Sequence, residues 1–210
     1  MEIRRTCNAG VCLKLDGVSI LLDGLCDRVE GYIPTPPTIA AELLDNPPDL
    51  LAFTHYHKDH CSRALLSPYR KENLRPILGP ECLSNGAVQV GEVTVTPVVS
   101  RHIGRIEPGL EHTSYIVQGS RCIWFMGDAA PSQWKNRTDL PKADVLIAPY
   151  AYANTPTSWE LTRTLAEKIV LLHLPEKEKD PYGLWEGVET TVAAAANVWV
   201  PQIGQTIAIE

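Results

Sequence analysis

The strongest constraint on this chain is six residues long. Residues 55–60 read H-x-H-x-D-H and place His55, His57, Asp59 and His60 within a single turn's length of chain. They follow an apolar run, Leu50 to Thr54, which reads as a short strand buried on both faces. Two histidines two apart at a strand end point to the same side. Asp59 and His60 come where the chain turns into the next helix, so they can approach a second position nearby. Neutral imidazoles and a carboxylate suit zinc, iron or manganese. Four donors in six positions are more than one ion takes from so short a loop, and two adjacent ions resolve the crowding. Half of the six histidines in the chain lie here. The plainer alternative is a solvated polar turn; on either reading Lys58 is solvated and Cys61 is a small buried thiol.

The surrounding sequence argues against the plain turn. Gly10 to Leu15 and Val18 to Leu22 flank Asp16-Gly17, a hairpin signal. Residues 25–37 read as a loop, and Thr38 to Leu44 as a short helix before Asn46-Pro47-Pro48. Ser62 to Leu66 reads as helix, stopping near Pro68. Strands are expected at Val93 to Val99, Ser114 to Val117, Arg121 to Met126, Val145 to Ala148, Ile169 to Leu172 and Gln205 to Ile209. Helices are expected at Ser158 to Glu167 and Glu186 to Asn197. Asp23, His55, His102, Asp128 and His173 each fall at or just past the end of one of these strands. In layered α/β folds, sites gather where strands give way to loops. Five polar residues so placed imply one converging site.

Bulk composition narrows the rest. A chain of 210 residues with 44% hydrophobic and 21% charged residues reads as one globular domain over residues 1–210. The net charge of -6, with no basic stripe, argues against extended nucleic-acid binding but allows a small phosphate ester. The opening MEIRRTCNAGVCLKL has no apolar core of a secretory signal, and no run is long enough to span a bilayer. The six cysteines form no C-x-x-C pair and read as reduced thiols. The expectation is a cytoplasmic protein without a membrane partner. Nothing in the pattern sets the oligomeric state, and the apolar stretch Ala193 to Ala196 suits an interface as well as a core.

With these pieces in order, the sequence resembles the metallo-β-lactamase superfamily. The resemblance rests on T-H-Y-H-K-D-H after an apolar strand, ILLDG ending at Asp23, TPVVSRH ending at His102, IWFMGDA with Asp128, and IVLLHLP with His173. It covers roughly residues 7 to 175, and the short spacers are most similar to the small ascorbate-6-phosphate lactonase-like branch. The resemblance implies an α/β fold, a four-layer αββα sandwich with the site at one edge. It implies that His55, His57 and His102 hold one divalent metal and Asp59, His60 and His173 a second, with Asp128 between them. Asp23 would orient a ligand histidine. Zinc is the first expectation, with manganese and iron using the same donors. Asp59 and Asp128 would serve catalysis by placing an activated water.

His112 is the rival of His102, and if functional it would contact substrate or donate a proton. Tyr150 and Tyr152, in PYAYANTP, lie where the superfamily binds substrate, and a hydroxyl there can donate to an oxyanion. The leading expectation is a hydrolase of a small-molecule ester, lactone or phosphorylated metabolite. A phosphodiesterase acting on nucleotides or RNA ends comes second. A non-enzymatic metal-binding or ligand-sensing protein comes third, because a decayed enzyme would be expected to lose ligands. The spacers leave no room for a β-CASP insert, and residues 176–210 are too few for the helical region of hydroxyacylglutathione hydrolases.

Overall fold

The computed structural model describes residues 1–80, 86–104, 110–193 and 195–210. The chain begins with strands β1 (Glu2–Arg5), β2 (Val11–Leu15) and β3 (Val18–Leu22). Asp16 and Gly17 join β2 to β3 with φ of 50° and 80°, the left-handed pair that a tight hairpin needs. Helix α1 (Pro37–Asp45), strand β4 (Leu50–Ala52), helix α2 (Arg63–Glu72) and strand β5 (Ile77–Leu78) follow. Next come β6 (Val88–Val90), β7 (Val93–Val99), β8 (Thr113–Gln118), β9 (Cys122–Phe125) and β10 (Ala143–Pro149). Helix α3 (Pro156–Leu165), β11 (Ala166–Leu172), helix α4 (Leu184–Val192), β12 (Val198–Trp199) and β13 (Thr206–Ala208) complete the order.

Two mixed sheets result, ordered β13-β1-β2-β3-β4-β5 and β12-β11-β10-β9-β8-β7-β6. Alternation along each strand explains how they stack. On β3 and β4, Ile20, Leu22, Leu50 and Ala52 face the second sheet, where they meet Ile123, Phe125, Val145, Ile147, Val170 and Leu172. The opposite faces carry Leu21, Leu51 and Phe53, which pack under Ile39 and Leu43 of α1 and Leu66 and Tyr69 of α2. On the other side, Trp124, Leu146, Ile169 and Leu171 pack under Trp159 of α3 and Val188 of α4. The four αββα layers follow from strands that are apolar on both faces.

Three expectations need correcting. Helix α2 runs through Pro68 instead of stopping there. Ser62 caps it by accepting from the Leu65 amide at 3.1 Å, and Leu66 and Tyr69 anchor it in the core. Those contacts offset the lost backbone bond, which costs about 3 kcal/mol in a helix interior. Helix α4 ends at Val192, short of Asn197, and Ala194 lies outside the described residues. Helix α3 ends at Leu165, because Ala166 already begins β11. Strand β1 carried no signal: half of its residues are arginine, yet Arg5 is buried. Its guanidinium is satisfied by the carbonyl oxygens of Cys7, Asn8 and Pro201, at 2.9–3.0 Å.

The five described cysteines are free thiols, and Cys82 lies outside the described residues. Among the described residues no helix is long and apolar enough to cross a membrane.

Candidate metal centre

Parallel pairing sets the site's place. Strands β3 and β4 run parallel, as do β9, β10 and β11, so their C-terminal ends meet at one edge of the sandwich. Hydrogen bonds lace the two sheets together there. The Thr113 amide donates to Thr54 at 2.9 Å, the Tyr115 hydroxyl to Phe53 at 2.8 Å, and the His173 amide to Asn8 at 3.0 Å. The loop after the motif is pinned to the chain leaving β3: Ser62 donates to the Leu25 carbonyl at 2.7 Å and Asp27 to the Lys58 carbonyl at 2.7 Å. Asp23 and His173 sit at the turns out of β3 and β11 with φ of 48° and 64°. Asp and His tolerate this left-handed backbone better than most side chains, at a cost of about 1–2 kcal/mol each. Gly10 makes the Asp23 turn feasible, since a Cβ there would lie 2.1 Å from the Asp23 carbonyl oxygen. Gly127 does the same before Asp128: φ is 54°, and a Cβ would meet Thr54 at 2.6 Å.

All six histidines of the chain meet at this edge. His55 lies with ring centroids 4.6 Å from His57, 4.1 Å from His60, 4.8 Å from His102 and 4.9 Å from His112, while His60 and His173 are 5.1 Å apart. Ligand atoms fall into groups that could each hold an ion. His55, His57 and His102 make one, and Asp59, His60 and His173 another. Asp128 lies between them: its Oδ2 is 3.4 Å from His60 Nε2, 3.5 Å from His102 Nε2 and 3.4 Å from His173 Nε2.

The hydrogen bonds behind the rings decide which nitrogen faces inward. His60 Nδ1 donates to Asp23 Oδ2 at 2.8 Å. The Thr54 hydroxyl gives its proton to the same oxygen at 2.6 Å, so it accepts from His55 Nδ1 at 2.9 Å. His102 Nδ1 donates to the Ile103 carbonyl at 2.6 Å. Each of these rings therefore turns Nε2 toward the site. His57 differs, presenting Nδ1 to His55 Nε2 at 3.0 Å. Asp23, expected to orient one histidine, reaches both groups: His60 directly and His55 through Thr54.

A cluster of lone pairs this close needs a cation. His173 Nε2 is 3.2 Å from His60 Nε2 and 3.2 Å from Asp59 Oδ2. His102 Nε2 and Asp128 Oδ1 are buried with no hydrogen-bond partner. Burial acts to lower the His60 pKa, but Asp128 and Asp23 outweigh it and raise it well above the usual imidazole value. Burial acts to raise Asp128, yet His173 and His60 hold it well below the usual carboxylate range. Burial, with His60 adding to the effect, keeps His55 neutral. The donor set thus fits divalent ions of the zinc, manganese or iron type, which would replace the proton on His60.

Tyr152 and His112 are both enclosed by protein groups. Tyr152 is buried in the layer under α3, where its hydroxyl accepts from Trp134 Nε1 at 2.7 Å. A short 3-10 turn, Tyr150–Tyr152, sends the two tyrosines in different directions. His112 is 4% exposed, and both its ring nitrogens are engaged by protein groups. Tyr150 stays half-buried at the site edge, 6.5 Å from the His173 ring. Beside it stands Tyr32, whose ring packs edge-on against His173 at 4.7 Å. Sequence reasoning missed Tyr32, which lies in a patternless loop. It also passed over Thr54, although the motif's own first letter was the signal.

His112 carries a pH signature. Burial lowers its pKa to about 3, below the 6.5 of an unfolded chain. The folded state gains from the neutral ring fully above pH 6.5 and loses that gain as pH falls toward 3. One proton is worth about 1.4 kcal/mol per pH unit. Urea unfolding of metal-free protein between pH 6 and pH 4 should therefore show a slope shallower by about one proton in His112→Gln. Equal slopes would mean the wild-type ring is already charged.

No family model matches the sequence, and no curated protein does. Solved structures do match in shape. A possible metal-dependent hydrolase from Veillonella parvula superposes with a TM-score of 0.66 at 16% identity, covering 99% of this chain and 98% of its own. The metallo-β-lactamase fold protein YhfI from Bacillus subtilis gives 0.62 at 16% identity, covering 98% and 97%. The chain has the metallo-β-lactamase fold. The diiron β-hydroxylase CmlA from Streptomyces venezuelae gives 0.65 at 12% identity, covering 99% of this chain but 54% of CmlA. One architecture therefore serves proteins described as hydrolase and as hydroxylase, so chemistry must be argued from side chains.

Proposed function

We propose that this chain is a metal-dependent hydrolase of a small molecule: an ester, a lactone or a phosphorylated metabolite. It holds two divalent ions, zinc first among them. The position of Asp128 Oδ2, within 3.5 Å of imidazole nitrogens from both donor groups, carries this proposal. A carboxylate so placed could serve both donor groups. His55, His57 and His102 would hold the first ion, and Asp59, His60 and His173 the second. Bound metal supplies an activated water and a Lewis acid for the electrophile. Asp59 and Asp128 orient that water, and Asp23 keeps the ligand nitrogens aimed inward through His60 and Thr54. Tyr150, with Tyr32 behind it, lends a phenolic proton toward the oxygen on which charge develops. His57 places a neutral donor where a carboxylate would favour iron, which supports hydrolysis over redox chemistry.

The test is hydrolysis of a panel of lactones and a panel of phosphodiesters by zinc-, manganese- and iron-loaded protein, with chelator-stripped controls. The expected result is lactone or ester hydrolysis that disappears on stripping. Turnover of phosphodiesters alone would select the phosphodiesterase alternative. Silence on both panels with metal bound would point to a non-enzymatic metal or ligand sensor.

A further inference from the structure

We propose that His112 is a positioning residue, which fixes the bridging carboxylate by gripping the backbone of Asp128. This rests on the dinuclear assignment above. The Asp128 amide donates to His112 Nε2 at 3.0 Å, so that nitrogen must offer a lone pair. The proton then sits on Nδ1, which donates to Ser100 Oγ at 2.7 Å. Ser100 is braced in turn. Its own amide donates to the His112 carbonyl at 3.0 Å, and Ser114 Oγ lies 3.0 Å from Ser100 Oγ and 3.0 Å from the Met126 carbonyl. The imidazole is thereby held in one tautomer and one orientation. His112 cannot ligate a metal in this state, because its inward nitrogen is already used.

An ordinary buried histidine would satisfy whatever backbone group lay nearest. This one accepts from the amide whose own side chain faces both donor groups. The preceding residue, Gly127, is left-handed at φ 54°, and a Cβ there would collide with the Thr54 side chain at 2.6 Å. Thr54 on one side and His112 on the other therefore set how the 127–128 peptide lies. Turning that peptide moves Asp128 Oδ2, which has three nitrogens to face at 3.4–3.5 Å. His112 thus acts on the metals through a main-chain hydrogen bond.

The experiment titrates zinc, against a chromophoric chelator, into full-length wild type, His112→Ala and His112→Gln. Nitrogen-15 spectra of the histidine rings are recorded with and without zinc. In His112→Ala the more tightly held zinc should stay, while the other binds about tenfold more weakly, the low end of what losing a partner that orients a ligand costs. Gln restores an acceptor near Nε2 and should recover most of that affinity. In the wild type, His112 should carry its proton on Nδ1, and zinc should leave its Nε2 unprotonated resonance in place. A zinc-induced shift typical of a ligand at Nε2 would overturn the proposal. So would undiminished binding of both ions by His112→Ala, or a His112→Gln as weak as His112→Ala. A wild type that takes fewer than two zinc ions would instead defeat the dinuclear reading. His112's grip is then judged on metal-free protein, by its tautomer and by movement of the Asp128 amide resonance in His112→Ala.

Discussion

Asp128→Ala is expected to release at least one metal ion per chain. The carboxylate is half-buried, with Oδ1 enclosed and without a hydrogen-bond partner, and Oδ2 lies within 3.5 Å of ring nitrogens belonging to both donor groups. Removing it leaves His55, His57 and His102 as three neutral donors, enough to retain an ion weakly. The other group keeps Asp59 but loses its shared oxygen. The crowded nitrogens also lose the charge that steadies them, since Asp128 is a leading cause of the raised His60 pKa. Elemental analysis after gel filtration should find one ion or fewer per chain, and hydrolysis should drop to the level of stripped protein. Two ions at full occupancy would refute the bridging role.

The second large effect is expected from Asp23, whose two oxygens are both engaged by protein donors. Its Oδ2 accepts from His60 Nδ1 at 2.8 Å and from the Thr54 hydroxyl at 2.6 Å, and Thr54 accepts from His55. Asp23→Asn keeps the size but must turn its NH2 either toward the Thr54 amide, which donates to Oδ1 at 2.7 Å, or toward His60 and the Thr54 hydroxyl, so one of these donors loses its acceptor. Loss of such an outer partner typically costs about 10–100-fold in metal affinity. Because one carboxylate orients a ring in each group, both ions should weaken in Asp23→Asn. Thr54→Val should weaken the His55 side alone. Zinc competition titrations that show a single weakened ion in Asp23→Asn would break the inferred link between the two groups.

Much of this was legible in the sequence, for a physical reason. Leu50 to Thr54 and its counterparts at β9 and β11 are short apolar runs ending in a ligand-type residue, and such runs can only be buried strands. The polar residue after each run is thereby placed at a sheet edge. What stayed hidden depended on partners far away in the chain. Arg5 reads as a surface residue until the carbonyl of Pro201 is known to meet it. Pro68 reads as a helix stop until Tyr69 is seen in the core. His112 reads as a loop histidine because its partner is a backbone amide, which has no letter in a sequence. Tyr32 and Tyr150 come together across the site from loops more than a hundred residues apart.

Gly10 offers no side-chain ligand, yet it belongs with the seven side chains proposed to hold metal. The left-handed turn at Asp23 brings its carbonyl oxygen to where a Cβ on residue 10 would stand, at 2.1 Å. The constraint is on volume alone, so even the smallest side chain breaks it. Gly10→Ala would push Asp23 aside and release His60 and Thr54 together. A survey of variants would score such a change as damage to a hairpin, when its origin is the geometry of two imidazoles on the far side of one carboxylate.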